Sequence, residues 1–595
     1  MSQIDRRVRE IIEGYFGPNV DDAVYAALKP WDLKGGDWLF HKGDTGDALY
    51  FLVRGRLQAY AGESADDSTR FIGEVRPGQS VGEAGLLTGQ PRSAGIRASR
   101  DSLLIRLEKA DFERLAGEHP GMVMKLAAHV ARLMQQNLAG QQQRGGGFST
   151  VTLLTIHDSR RARNAAEQLA RRLADENGAL WLRTDRLDEL GAPTGASVEP
   201  MELPERLKQW LADQENEHPL VVYQCGPGDS AWTRFAVRQA DIVMAVADTA
   251  EASELAPIED RLAQAGVNAP AAQALALVRP AGTDIGGTAS WIGNRPVDFH
   301  LHLGEDGDAD LARITRVLSG RAVGLVLGAG AVRGLSELGV YKAMVEAGVP
   351  VDWVGGSSIG SIVGAAIAHG WDPDKAIDVA REAFVKGRPF SDYTLPLVSL
   401  IRGKRMTRLL ESLVDADIED LPLPYFCVSS KLDRGEVHVH RRGSLVSAIR
   451  ASAALPGVLP PAVVDSELVV DGAVLNNLPV DVMERFPVGT IIAIDVSSRH
   501  VRQVDYGETP SSWAILRSRL LPFTRRQRVP GLATLIMRST EIGTLLQSRA
   551  HGERADLLIN PPVRQFGLTD VSAYDQVVEA GYQHAREIFA NWTQP

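Results

Sequence analysis

Between residues 322 and 370 the chain twice runs from an apolar strand into a glycine-rich turn and on into a helix. No other stretch constrains the fold as strongly. Ala322–Leu327 breaks on Gly328-Ala329-Gly330-Ala331-Val332-Arg333-Gly334, and the next segment carries apolar residues at Leu335, Leu338, Tyr341, Met344 and Val345. Gly348 stands where a helix C′ residue belongs, and Pro350 stops continuation. The second unit reads as a short strand, 352–355, then Gly356-Ser357-Ser358-Ile359-Gly360, then an apolar helix reaching His369. Alternation of this kind implies a parallel sheet covered by helices. A glycine loop between strand and helix presents backbone N–H groups where negative charge is stabilised. Gly328, Ala329, Gly330 and Ala331 therefore read either as a phosphate cradle or as an oxyanion hole.

The second turn decides between them. It is GxSxG placed between a strand and a helix, the setting in which a serine hydroxyl is pushed out of a strained turn. Ser358 is read as a nucleophile, with Gly356 and Gly360 permitting the backbone it needs. A serine nucleophile needs a base. His500, His551 and His584 lie downstream in unremarkable surroundings, whereas Leu468-Val469-Val470-Asp471-Gly472 ends an apolar strand with an aspartate at a tight turn. A free aspartate, with a pKa of ~3.9, is a feeble base toward an alcohol, so burial has to raise it.

The chain's 595 residues allow about four domains. The first 138 residues alternate short β-rich runs (38–41, 49–54, 57–60, 70–75 and 103–107) with turns such as KGDTGD and RPGQ, the rhythm of a β-roll or sandwich, and close with helices. Met122, Leu126, Val130, Leu133 and Met134 form a helical stripe, read as core packing ahead of a homodimer seam. Residues 139–148 read as a flexible linker rich in Gln and Gly. Residues 149–320 alternate strands and helices as a middle α/β domain. The catalytic segments fall in 321–500, and 501–595 extends that region. His300 and His302 share one face of a strand, where packing is favoured over metal ligation, and no metal is expected. Two cysteines, Cys225 and Cys427, exclude a disulfide framework and point to the cytoplasm. The N-terminus carries no secretory signal and no apolar run spans a bilayer. A formal charge of −11 argues against nucleic acid as a partner.

The segments GLVLGAGAVRGLSELGVYKAMVEAGVPVDWVGGSSIGS, AIRASAALPGVLPP and VDGAVLNNLPVDVM resemble the patatin-like phospholipase family, and most closely its neuropathy-target-esterase branch. The stretch LVVYQCGPGDSAWTRFAVRQADIVMAVAD is similar to the segment preceding the hydrolase in that branch. The resemblance implies a patatin-like α/β hydrolase using a Ser–Asp dyad, Ser358 as nucleophile and Asp471 as base, with the Gly328–Gly334 loop supplying oxyanion amides. It implies acyl-ester hydrolysis of phospholipid or lysophospholipid, with no cofactor needed for catalysis. Where the family has four consecutive glycines, Ala329 and Ala331 replace two. An alanine held at positive φ there costs about 1 kcal/mol. The alternative reading, a cyclic-nucleotide-sensing interaction protein with a degenerate hydrolase domain, rests on that departure.

In the N-terminal region, Gly82-Glu83 through Arg92-Ser93 resembles the phosphate cassette of cyclic-nucleotide-binding domains. Arg92 would fork the phosphate, Ser93 add a hydroxyl and Glu83 take the ribose 2′-OH, which implies cAMP or cGMP as an effector. Near the other end, residues 509–540 hold six arginines (Arg517, Arg519, Arg525, Arg526, Arg528 and Arg538) and no acid, interleaved with Trp513, Ile515, Leu516, Leu520, Leu521 and Phe523. This segment reads as a solvated face or as a membrane-interface segment. With lipid as substrate, the latter expectation makes the protein peripheral on the inner membrane face.

Overall fold

The structure, a computed structural model, describes residues 3–17, 20–60, 71–75, 77–118, 124–126, 148–193, 203–264, 272–497, 511, 513, 549–568 and 570–592. The expected linker (save Phe148), almost all of the stripe at 122–138, His500 and all six arginines of 509–540 lie outside the described residues. Cα packing divides the chain into two compact units, one of 1–283 with 290–319, the other of 284–289 with 320–595.

The first unit opens with a β-roll: β1 (Lys29–Leu33), β2 (Trp38–Phe40), β3 (Ala48–Tyr60), β4 (Phe71–Val75), β5 (Ser80–Val81) and β6 (Gly95–Glu108). The long antiparallel pair β3–β6 is its spine, with β1 on the far side of β6, β4 beyond β3, and β2 and β5 added at its ends. Two separate strands, 49–54 and 57–60, are expected from the sequence, yet β3 runs unbroken through both. Gly55, at φ +98°, absorbs a register irregularity there, and any Cβ would stand 2.6 Å from the Ser102 Cα. Ile12 and Phe16 of the helix Gln3–Phe16 pack on Phe51 and Leu107 to form the core.

The same unit contains a six-stranded parallel sheet: β7 (Thr150–Thr155), β8 (Leu180–Leu182), β9 (Val221–Cys225), β10 (Ile242–Asp248), β11 (Ala272–Arg279) and β12 (Phe299–Gly304), in the order β12-β11-β10-β7-β9-β8. Helix Arg160–Asn177 lays an alanine–leucine face on it, capped by Ser159 and by Gly178 at φ +63°. Two buried ion pairs tie roll to sheet: Arg56 to Asp241 at 2.8 Å and Arg100 to Glu215 at 3.0 Å. Arg100 also donates to Thr150 Oγ1. His302 is buried in β12, and no cluster of three or more His, Cys, Asp or Glu that could hold a metal exists among the described residues. Both cysteines are free and buried, and burial pushes each thiol up to about 12.

The second unit is built on β13 (Val323–Leu327), β14 (Trp353–Ser357), β15 (Tyr425–Lys431), β16 (Glu436–His440), β17 (Ala462–Val464), β18 (Glu467–Asp471), β19 (Thr490–Ile494) and β20 (Leu557–Ile559), ordered β17-β18-β15-β14-β13-β19-β20 with β16 also on β15. The run β15-β14-β13-β19-β20 is parallel, and β18 joins it antiparallel. The strand expected at 352–355 is shifted to 353–357, because the buried Asp352 carboxylate accepts from the Val323 N–H and ends the approach loop. Helix Ser336–Glu346 lies directly against the C-terminal helix Tyr574–Phe589. Gly339 and Gly581 face the partner backbones so closely that a Cβ on either would come within 2.0 and 2.1 Å of a carbonyl oxygen.

Candidate active site

Strand register brings the two predicted catalytic side chains together. Ser357 on β14 pairs with Val428 on β15, and the next residue of β15, Ser429, pairs with Asp471 at the end of β18. Ser358 and Asp471 thus stand at one level of the sheet, and Ser358 Oγ donates to Asp471 Oδ2 at 2.7 Å. Asp471 Oδ1 accepts from the Ala473 N–H at 2.9 Å, which fixes the carboxylate plane. The aspartate is 2% exposed, and this desolvation lifts its acid from the ordinary value near 3.8 to about 6, against the opposing pull of its two hydrogen bonds.

The strain of the elbow sits on the serine itself. Ser358 adopts φ +54°, ψ −118°, while Gly356 and Gly360, expected to carry that conformation, are at ordinary φ. Their need for glycine is steric: a Cβ on Gly356 would lie 2.4 Å from the Gly360 oxygen, and one on Gly360 2.5 Å from the Leu327 oxygen. Ser452 Oγ accepts from the Ser358 N–H at 3.0 Å, and Ser361 Oγ donates to the Ser358 carbonyl at 2.5 Å. A strained φ persists only where surroundings over-determine it, and these bonds do so.

The four residues expected as oxyanion donors are not equivalent. The Gly328 N–H is bonded to the Ile494 carbonyl and that of Ala329 to the Asn477 carbonyl, both at 3.1 Å. Ala329, Gly330 and Ala331 all line the cleft, and of the four it is Gly330 and Ala331 whose N–H groups meet no backbone acceptor among the described residues. Of the two alanines that replace family glycines, Ala331 sits at φ +51° and Ala329 does not. Both remaining glycines are sterically required: a Cβ on Gly330 would lie 2.3 Å from Val496 Cγ2, and one on Gly328 2.9 Å from the Ile494 oxygen. From behind, Val332 N–H bonds to the Leu568 carbonyl and Arg333 Nε to that of Phe566. Glu337, below the loop, is fully buried with both carboxyl oxygens unbonded. Burial holds it well above the usual carboxylate range.

Ser358 and Asp471 open into a cleft of about 610 Å³ whose walls are mainly apolar, among them Ile362, Phe384, Val458 and Leu459. Ile362, Phe384, Pro389 and Phe390 also wall a second cavity of about 60 Å³ behind it, lined by apolar side chains throughout. Phe384 lies in a π-helical turn, Glu382–Lys386, which widens the helix beside the cleft. No histidine of the described residues lines the cleft. His551 bonds through Nδ1 to the Leu478 carbonyl, and His584 rides on the C-terminal helix.

In the roll, Gly82, Glu83 and Arg92 converge, while Ser93 is exposed. Gly82 is at φ +96°, and Arg92 donates to the carbonyls of Gly82 (3.1 Å) and Ala48 (2.8 Å), with its guanidinium 4.2 Å from the Phe40 ring centre. Glu83 accepts from Ser80 Oγ. Arg92 and Glu83 are both engaged within the protein in this state.

Residues 325–483 match the patatin-like phospholipase family, 30–119 the cyclic nucleotide-binding domain, and 147–320 the P-loop-like domain of the neuropathy target esterase (NTE) family. An uncharacterized NTE family protein of Mycobacterium tuberculosis is 32% identical over 93% of this chain and 91% of its own length. The chain belongs to the NTE family. This NTE-family chain is also 31% identical, over 94% of its length, to human patatin-like phospholipase domain-containing protein 6, of which it spans 44%. It therefore covers less than half of the first curated relatives it matches. The cAMP-bound regulatory domain of Toxoplasma gondii PKA is 22% identical over 19% of this chain and 45% of that one, at a TM-score of 0.18. In the P-loop-like domain, the turn after β7 reads Ile156-His157-Asp158-Ser159-Arg160-Arg161, without the glycines and lysine of a phosphate loop. Asp248 fills that helix N-terminus, accepting from Ser159 Oγ at 2.5 Å and from Arg161 at 2.7 Å.

The sequence reading does not anticipate Ser452, Asn477, Glu337 or the C-terminal props at Phe566 and Leu568. Ser452, Asn477 and Glu337 fall in segments that the family resemblance covers, and Phe566 and Leu568 lie outside them.

Proposed function

We propose that this chain is a serine esterase that hydrolyses acyl esters of phospholipids and lysophospholipids with Ser358 as nucleophile and Asp471 as base. The observation that carries the reading is the 2.7 Å hydrogen bond from Ser358 to a buried aspartate inside an apolar cleft. Asp471 takes the hydroxyl proton as Ser358 Oγ attacks the ester carbonyl, and the N–H groups of Gly330 and Ala331 receive the developing oxyanion. Collapse breaks the bond to the alcohol, which leaves with the proton held by Asp471. Water, deprotonated by Asp471, then attacks the acyl-serine and releases the fatty acid. A base near 6 suits this task at neutral pH far better than one near 4. The acyl chain is accommodated along Ile362 and Phe384 toward the apolar cavity behind.

Turnover of a lysophospholipid panel by wild type, Ser358→Ala and Asp471→Asn tests this. Both variants lose activity, and a fluorophosphonate probe labels the wild type at Ser358 only. The rival, a nucleotide-sensing protein with a degenerate hydrolase, has Ala331 at φ +51° in its favour. That strain is of order 1 kcal/mol, too little to silence a site. Absence of labelling at Ser358 decides for the rival. Regulation through the N-terminal domain by cAMP or cGMP, and membrane association, belong to the same proposal. Calorimetry with each nucleotide, on wild type and Arg92→Ala, tests the former.

A further inference from the structure

One wall of the cleft continues outward as a short hairpin-like loop. Tyr393 and Ile401 form an antiparallel bridge at its base, and the Thr394 N–H bonds to the Leu400 carbonyl. Ser399 and Ile401 are buried, and Leu400 and Ile401 are tied to the backbone of Gly457 and Val458. At the tip the Leu397 N–H bonds to the Leu395 carbonyl around Pro396. The loop is therefore built and anchored, yet Tyr393, Leu395, Leu397 and Val398 are 75%, 73%, 84% and 67% exposed. Four large apolar side chains left in water over six positions are an interaction surface waiting for an apolar partner.

The surrounding charge says which partner. Residues 385–408 contain six basic residues and one acid, in a chain of net charge −11. Lys386, Arg388, Arg402, Lys404 and Arg405 are all exposed beside the apolar tip. The acid, Asp392, is turned inward, its Oδ2 accepting from the Arg405 N–H. Apolar side chains ringed by cations match a bilayer interface, with hydrocarbon below and phosphate above. The same loop supplies Phe390, Tyr393 and Leu400 to the cleft that holds Ser358.

We propose that residues 390–398 insert into the surface of an anionic phospholipid bilayer and set the cleft mouth against the lipid. This rests on the ester-hydrolase reading for its purpose, but binding is measured independently of it. Leu395 and Leu397 do not line the cleft, so Leu395→Asp/Leu397→Asp probes docking alone. The 595-residue chain is floated with phosphatidylcholine–phosphatidylglycerol vesicles and with pure phosphatidylcholine vesicles, and assayed on a soluble p-nitrophenyl butyrate and on vesicle lipid. The double variant is expected to partition about tenfold more weakly per leucine, and to lose vesicle-lipid hydrolysis while keeping p-nitrophenyl butyrate turnover. Arg402→Glu/Lys404→Glu weakens binding to the anionic vesicles only. Unchanged flotation of the leucine variant, or no flotation of wild type, overturns the proposal. So does a wild-type dimer that the leucine substitutions split while vesicle binding survives, which assigns the loop to a second copy of the chain. Vesicle binding without any ester turnover by wild type leaves docking standing and refutes the hydrolase reading instead.

Discussion

Replacing Asp471 by asparagine is expected to abolish ester hydrolysis and, at the same time, to make the protein more stable. In the folded state burial raises this acid from near 3.8 to about 6, so the native protein binds the Asp471 proton more tightly than the unfolded chain does. The linkage has a definite sign. Stability from this group is fully present below the unfolded pKa near 3.8 and is lost as pH rises through about 6. A displacement of roughly two pKa units at 1.36 kcal/mol each amounts to about 3 kcal/mol lost by pH 8, and about half that at pH 5. Asparagine never ionises, keeps an oxygen for the Ala473 N–H, and so avoids this cost. Scanning calorimetry of wild type and Asp471→Asn at pH 5 and pH 8 reads the difference. At roughly 2–4 °C per kcal/mol, the variant's transition for the unit carrying the site rises by about 6–12 °C at pH 8, and by about half as much at pH 5. In parallel, wild-type kcat/KM falls with a midpoint near pH 6 on the acid side, because protonated Asp471 cannot accept the serine proton. A variant no more stable than wild type at pH 8, or a gap that does not widen with pH, refutes the argument that burial sets the strength of this base.

Three further outcomes follow from geometry. Ala331→Gly relieves the φ of +51° and leaves stability equal or up to about 1 kcal/mol higher, whereas Ala329→Gly, where no such relief exists, loses about 0.5–1 kcal/mol; paired urea titrations separate them. Arg56→Ala removes the cation beside the buried Asp241 carboxylate, which keeps its bonds from the Ser149 and Thr150 N–H groups, and lowers the stability of the N-terminal unit by about 1–3 kcal/mol, while Arg56→Ala/Asp241→Ala recovers part of the loss in a double-mutant cycle. Gly339→Ala forces a methyl to within 2.0 Å of the Val578 carbonyl, so helix Ser336–Glu346 shifts and kcat falls although no cleft residue is changed; steady-state kinetics on a soluble ester measures it.

The outline of this site was legible because its chemistry is local in sequence. A strand, GxSxG and a helix fix where Ser358 points, and an apolar strand ending in Asp-Gly fixes Asp471. Which loop amides stay available was not legible, because that depends on acceptors at Asn477 and Ile494, far along the chain. The glycines of the elbow were read as conformational and turned out to be steric, since sequence does not show which backbone will approach another within 2.5 Å. The run β3 looked like two strands because Gly55 marks a break in pattern, and the fold uses it as a bulge instead. Nothing in the sequence pattern marks residues 390–401 as a loop whose apolar tip is left in water, because that depends on the anchoring of its base to Gly457 and Val458. The expected lipid-facing arginines at 509–540 lie outside the described residues.

The props behind the oxyanion loop also bear on when this protein becomes active during synthesis. Arg333 and Val332 are held by carbonyls at Phe566 and Leu568, and the helix that follows the loop is seated against Tyr574–Phe589 through facing glycines. Ser358 and Asp471 leave the ribosome long before those partners do. A nascent chain therefore carries the proposed nucleophile and base before the loop that would serve them as an anion site is held in place. On the proposed mechanism, ester hydrolysis stays off until residues 566–589 have been made and folded.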